Sequence, residues 1–185
     1  MKQNKFSQAT AGALLALTCF FSTASAADAS PERIGVLVQQ ALRGAKKDAP
    51  ADVSVRIAGS DESLVPAGDP AAVRRALRNV FAYSARAMAH RPNRFVEVRV
   101  DRNGENVDVV IRDSGPGVGA EDLLAIYGYT LTGVQDATRD LLAQANRLAL
   151  SLGGHLLIDS QEGAGTEYVV ELPISKSGDD AIAAR

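Results

Sequence analysis

The sequence holds 185 residues, 46% hydrophobic and 23% charged, with a formal net charge of −2, the balance of one ordinary globular domain. Charges of both signs are interspersed and only 5% of residues are aromatic, so neither a basic stripe nor a set of stacking side chains is present for a nucleic acid. One cysteine and two histidines exclude the usual zinc ligand sets, and no metal site is expected.

The first 26 residues read as a signal peptide. Lys2 and Lys5 supply a positive start, residues 11–21 a short apolar core, and Ala24-Ser25-Ala26 a small-x-small cleavage site. The apolar run is too short and too alanine-rich for a membrane span. Cleavage after Ala26 implies a periplasmic or secreted product with no stable membrane span, the alternative being an uncleaved cytoplasmic one. Cys19 leaves with the peptide, so stability must come from the core alone. A domain of this size buries roughly 68–70% of its unfolded surface, which suffices.

Ser30-Pro31-Glu32 predicts a helix start, with a capping hydroxyl, a first-turn proline and an acid at the positive end. Ile34, Leu37, Val38, Ala41 and Leu42 follow at helical spacing. Val53, Val55 and Ile57 alternate with polar residues as in a half-buried strand, and Leu64-Val65 reads as a short second one. Asp69-Pro70 opens a long helix whose stripe is Val73, Ala76, Leu77, Val80, Phe81 and Met88, ending near His90-Arg91-Pro92. Val96, Val98 and Val100, a turn over residues 101–104, then Val107, Val109 and Ile111 predict a hairpin.

That hairpin ends in Asp113-Ser114-Gly115-Pro116-Gly117, an acid at a strand end followed by glycines spaced two apart. Such a carboxylate can accept a hydrogen bond from an exocyclic base amine, and residues without a Cβ allow a sharp turn and close approach of a planar ring. Residues 121–127 read as one or two helical turns and 130–135 as a polar loop. Asp136 or Thr138 caps a last helix with Leu141, Leu142, Ala145, Leu148, Ala149 and Leu152 buried, closed by Gly153-Gly154. Residues 156–159 and 167–172 are the last strands, and 175–185 a loose tail. The economical arrangement is an α+β two-layer sandwich, with helices on one face of a mixed, mostly antiparallel sheet.

Over residues 30–174 these pieces resemble the ATP-binding catalytic domain of sensor histidine kinases, of the Bergerat fold shared with gyrase, the ninety-kilodalton heat-shock chaperones and MutL. Residues 69–80 resemble the helix carrying the asparagine box, Asp113-x-Gly115-x-Gly117 the first glycine box, and 121–127 the phenylalanine-box helix. Leu152-Gly153-Gly154-His155-Leu156 and Gly163-Ala164-Gly165-Thr166-Glu167-Tyr168 resemble the close of the last helix and the final glycine-rich hairpin. The resemblance implies ATP or ADP as ligand, held by Asn79, Asp113, Gly115, Gly117, Gly163, Gly165 and Thr166, with Asn79 as the one catalytic candidate.

The departures are specific. The family's second asparagine, which helps hold magnesium, is Tyr83 here, and a neutral phenol is a poor ligand for a hard cation. The usual lysine is Arg86, which keeps a positive charge near the phosphates. The second glycine box falls on Arg139 and Leu141 with Asp140 between them, so backbone N–H groups no longer cradle phosphate, although Arg139 offers some countercharge. No histidine precedes Ser30, and the sequence reads as lacking a phosphoacceptor-histidine domain; His90 and His155 read as ordinary boundary residues. Two readings follow from the resemblance: a weak binder of adenine nucleotides acting as a signalling accessory or pseudo-kinase, or an exported interaction or sensing module without nucleotide. An active kinase or ATPase is the third, opposed by the two lost phosphate elements.

Overall fold

The computed structural model describes residues 31–46, 53–59, 61–128 and 137–176. The stretch read as a signal peptide, the expected cap at Ser30, the loop over 130–135, Asp136 and all but the first two tail residues lie outside them. Four helices, α1 (Ile34–Ala45), α2 (Pro70–Ala87), α3 (Ala120–Ile126) and α4 (Arg139–Ser151), accompany five strands. These are β1 (Ser54–Gly59), β2 (Phe95–Asn103), β3 (Asn106–Asp113), β4 (His155–Gln161) and β5 (Gly165–Pro173). They form one sheet in the order β1-β2-β3-β5-β4, parallel only between β1 and β2.

Alternation decides the two faces of that sheet. Val96, Val98 and Val100 of β2, Val107, Val109 and Ile111 of β3, and Tyr168, Val170 and Leu172 of β5 are buried in the core shared with the helices. The intervening residues form the open face, where charged rows flank an apolar row of Val110, Val169 and Leu157. Register sets Arg56, Glu97, Arg112, Glu167 and Asp159 in one row across all five strands. Arg112 Nε lies 2.9 Å from Glu167 Oε2. The pattern is α+β with helices on one face, as the periodicity predicts.

Four local expectations are corrected. Helix α1 begins at Ile34 with no side-chain cap; its first N–H groups are taken by backbone, Ile34 N donating to Leu64 O at 2.7 Å and Gly35 N to Glu62 O at 3.0 Å. Strand β1 is exposed along its whole length, with Val55 at 43% and Ile57 at 40%. It is an edge strand, and its apolar side looks into an open groove of about 470 Å³ bordered by Leu42, Ala45, Phe81 and Ala85. Leu64-Val65 forms no strand, because pairing in that segment is limited to a single bridge between Pro66 and Ile174. On α4, Leu141, Leu148 and Leu152 are only half-buried, and Asn146 takes a buried place beside Leu142, Ala145 and Ala149.

Helix α2 positions the site. Asp69 Oδ1 accepts from Ala71 N at 2.9 Å and Pro70 occupies the first turn, so the start is fixed by side-chain capping and a preset φ. Val73, Leu77 and Val80 are fully buried, which fixes the helix's rotation and hence where Asn79 and Tyr83 point. The β2–β3 hairpin reverses more tightly than expected, on Gly104 and Glu105, with Asn103 paired to Asn106.

Candidate nucleotide site

Asp113 is the last residue of β3, and the two-residue period that buries Val109 and Ile111 also turns its carboxylate inward, leaving it 4% exposed. Oδ1 accepts from Gly115 N at 2.8 Å, and Oδ2 accepts from the Tyr168 hydroxyl at 3.1 Å. Burial raises the carboxyl above the usual aspartate range, opposed by the donors from Gly115, Ser84, Tyr168 and the Thr166 backbone. The Ser84 hydroxyl is fully buried and faces this carboxylate from α2. The Tyr168 phenol is pushed well up, first by burial and then by the charge of Asp113.

A carboxylate offers about four acceptor positions; two take the short contacts just described, and Ser84 and the Thr166 backbone also face it. Thr166 stands opposite Asp113 in the β3–β5 ladder and shares a 3.0 Å hydroxyl contact with Ser160, which also accepts from Val118 N at 2.7 Å. The glycine box is therefore sewn to the β4–β5 hairpin. Arg91 reinforces the seam, Nε donating to Ser114 O at 3.3 Å and Nη2 to Gly163 O at 3.1 Å, while Gly163 N donates to Pro116 O at 2.7 Å.

The glycines are where the sequence puts them, but the fold itself already needs them. Gly117 has φ +90°, and a Cβ there would stand 2.7 Å from Gln161 O; at Gly165, φ +104°, it would overlap Asp113 O. A Cβ on Gly115 would stand 2.8 Å from Asp113 Oδ1. What approaches closely is the protein's own hairpin and its own carboxylate.

Tyr83 is buried at 9% and meets the Tyr168 ring edge to face, with centroids 6.2 Å apart and planes at 75°. It thereby joins the Asp113 cluster from α2, as packing rather than as a ligand. Asn79, one turn earlier, is buried, and its Nδ2 donates to Gln144 Oε1 on α4 at 3.5 Å. Arg86 is exposed on α2. Arg139 is engaged elsewhere: its Nη2 lies 2.7 Å from Asp122 Oδ1, tying α4 to α3.

The structure thus gathers Asp113, Gly115, Gly117, Gly163, Gly165 and Thr166 at one corner, with Tyr83 beside them, Asn79 next along α2 and Arg139 turned to α3. Sequence reasoning missed Tyr168, Ser84, Ser160 and Arg91. Tyr168 carried a usable signal, since alternation from Thr166 sets it on the same face as Asp113. The base side keeps the features the resemblance expects, a buried carboxylate acceptor beside a threonine. The metal side does not fit magnesium, because Tyr83 is packed on Tyr168 where an oxygen ligand is needed. Among the described residues no group of three or more histidine, cysteine or acidic side chains converges for a metal.

Comparison with known proteins places this corner in context. The family model described as histidine kinase-, DNA gyrase B-, and HSP90-like ATPase matches residues 68–176. The sensor histidine kinase ZraS of Escherichia coli K12 is 24% identical over 143 residues, 77% of this chain and 30% of its own length. The methanogenesis regulatory histidine kinase FilI of Methanothrix harundinacea is 30% identical over 103 residues, 55% of this chain and 12% of its own. The chain thus spans less than a third of the curated relatives' length. Among solved structures, the mycobacterial sensor histidine kinase MprB aligns with TM-score 0.64 and 21% identity, covering 78% of this chain and 98% of its own. Full-length ShkA, solved in complex with AMPPNP, aligns with TM-score 0.60 and 22% identity over 79% of this chain and 31% of its own. With the family model matching more than half of the sequence and the same fold in these structures, the chain belongs to the histidine kinase-, DNA gyrase B- and HSP90-like ATPase family.

Proposed function

We propose that the domain binds the adenine end of a nucleotide weakly and without magnesium, as a signalling accessory or pseudo-kinase rather than a phosphoryl-transfer enzyme. The observation that carries this is the asymmetry of the corner. Asp113 keeps its carboxylate acceptor on the base side, whereas Tyr83 is packed on Tyr168 and Arg139 paired with Asp122. A hydrogen bond to a charged group contributes roughly 1.5–3 kcal/mol, so Asp113→Ala is expected to weaken adenosine binding about tenfold to a hundredfold from a high-micromolar dissociation constant. Calorimetry with and without magnesium tests this, with no magnesium-dependent hydrolysis above background expected alongside it. Turnover that disappears in Asn79→Ala would restore the kinase reading.

One observation favours a fold kept without nucleotide: both short contacts to Asp113 come from the protein itself. Tyr168→Phe separates the two. Under the adenine reading the vacated lone pair makes adenosine bind as well as before or better. Under the module reading neither form binds it. An exported product fits both readings. Mass analysis of fractionated cells is expected to find a periplasmic chain starting at Ala27, and a full-length cytoplasmic product would overturn export.

A further inference from the structure

Strand β1 is an edge of the sheet, and among the described residues it pairs with β2 alone. The outer row of its backbone N–H and C=O groups therefore faces no strand, which is the position at which another chain can be added. Edges that stay single are commonly kept very short, charged or interrupted by proline. Strand β1 runs six residues with one charge, Arg56, and no proline. Its side chains divide by alternation. Val55 and Ile57 border the open groove of about 470 Å³, together with the buried Phe81 and Ala85 of α2 and Val96 of β2. Arg56 stands on the other side, in the row of Glu97 and Arg112. Helix α1 adds Gln39, Arg43 and Lys46 to the groove, spaced i, i+4, i+7 and all exposed. No acid is among the described residues of its lining.

We infer that β1 and this groove receive an extended segment of another protein, with apolar side chains at alternate positions and acidic ones between them. The inference goes beyond the nucleotide reading and does not depend on it. A free strand edge offers main-chain hydrogen bonds, which an extended chain can use and a helix, its backbone already bonded internally, cannot. An added strand repeats the alternation of β1, so every second side chain enters the groove beside Val55 and Ile57, where the walls are apolar. The side chains between them stand beside Arg56, and opposite charges are the favourable cross-strand pairing. Arg43 and Lys46 add positive potential along the groove, which draws in an acidic segment and repels a basic one. The same charges disfavour a second copy of this chain. Strand β1 set against β1 would bring two sets of Arg43, Lys46 and Arg56 into one interface.

The probe is a short fluorescein-labelled peptide in which valine and glutamate alternate. One control carries lysine in place of glutamate, and another has the same composition with valines and glutamates in separate blocks. Fluorescence anisotropy on the full chain compares wild type with two variants. Ile57→Lys sets a charge on the apolar side of the edge, and Arg43→Glu/Lys46→Glu/Arg56→Glu reverses the sign of exposed side chains alone. Wild type is expected to bind the alternating acidic peptide at least about tenfold more tightly than either control. Ile57→Lys should lose that advantage, and the charge-reversed variant should prefer the lysine peptide. The acidic peptide should also slow hydrogen exchange at the β1 amides of wild type. Circular dichroism checks that both variants are folded; if Ile57→Lys is not, the surface reversal decides. Absence of binding, equal binding of the three peptides, or a preference that survives both variants would overturn the inference. Self-association, or binding to phosphatidylglycerol vesicles, that Ile57→Lys abolishes while no peptide binds would give the edge to a second copy or to a membrane. Peptide binding seen only after deletion of residues 177–185 would give it to the chain's own tail.

Discussion

Gly165→Ala is expected to cost at least about 3 kcal/mol of stability and to abolish adenosine binding, whereas Gly163→Ala, two residues away, is expected to cost about 1–2 kcal/mol. Both glycines have positive φ, +104° and +82°, so both substitutions carry the left-handed penalty of an L-residue. They differ in what a Cβ would meet. At Gly163 nothing lies within 4 Å, while at Gly165 the new carbon would overlap the Asp113 carbonyl, which is backbone and cannot swing aside. Relief requires β5 to move off β3 where Asp113 pairs with Thr166, and that shift carries Tyr168 away from the carboxylate. Denaturant unfolding of the two variants measures the difference. Equal costs would show that the hairpin is not seated on Asp113 as described.

That contrast marks where the sequence is legible. Alternation of Val107, Val109, Ile111 and Asp113 predicts one buried face and therefore an inward carboxylate, and the structure places it so. Spacing also identifies glycines that must stay glycine. It does not reveal what comes close to Gly117 and Gly165, because the contacting atoms, Gln161 O and Asp113 O, lie about fifty residues away along the chain and are placed only by strand pairing. The same limit governs Tyr168. Its ring is foreseeable as core, but its hydroxyl reaching Asp113 depends on β3 and β5 being neighbours, which local pattern does not state.

Edges and helix rotation were the other losses. Alternation in Val53, Val55 and Ile57 predicts a half-buried strand only if an element covers it, and an edge position beside an open groove leaves it bare. On α4 the spacing predicts a buried stripe of Leu141, Leu142, Ala145, Leu148, Ala149 and Leu152. Leu142, Ala145 and Ala149 are buried as predicted, joined by Asn146, while Leu141, Leu148 and Leu152 are only half-buried. Small residues at 145 and 149 let α4 lie close to its neighbours, which leaves the larger leucines at 141 and 148 toward the rim. The same rotation sets Gln144 beside Asn79, a contact that depends on how α4 packs on α2 and that local pattern does not state.

Leu77→Ala is expected to cost about 2–5 kcal/mol, through the lost transfer of buried carbons and the cavity left behind. Leu77 is fully buried in the same cluster as Val98, Val109 and Tyr168, where strands on one side and α2 on the other leave little room for collapse. A value in the upper half of the range therefore signals a rigid sheet-facing core, and one in the lower half a helix that settles toward β3. The functional consequence should be slight. Leu77 is two residues from Asn79, about 200° around the helix at 3.6 residues per turn, so its loss does not touch the face proposed to meet the ligand. Adenosine and ATP affinities measured well below the lowered melting temperature should then match the wild-type values. A loss of affinity out of proportion to the unfolded fraction would mean that α2 rotates when the core is hollowed, taking Asn79 and Tyr83 out of register with Asp113.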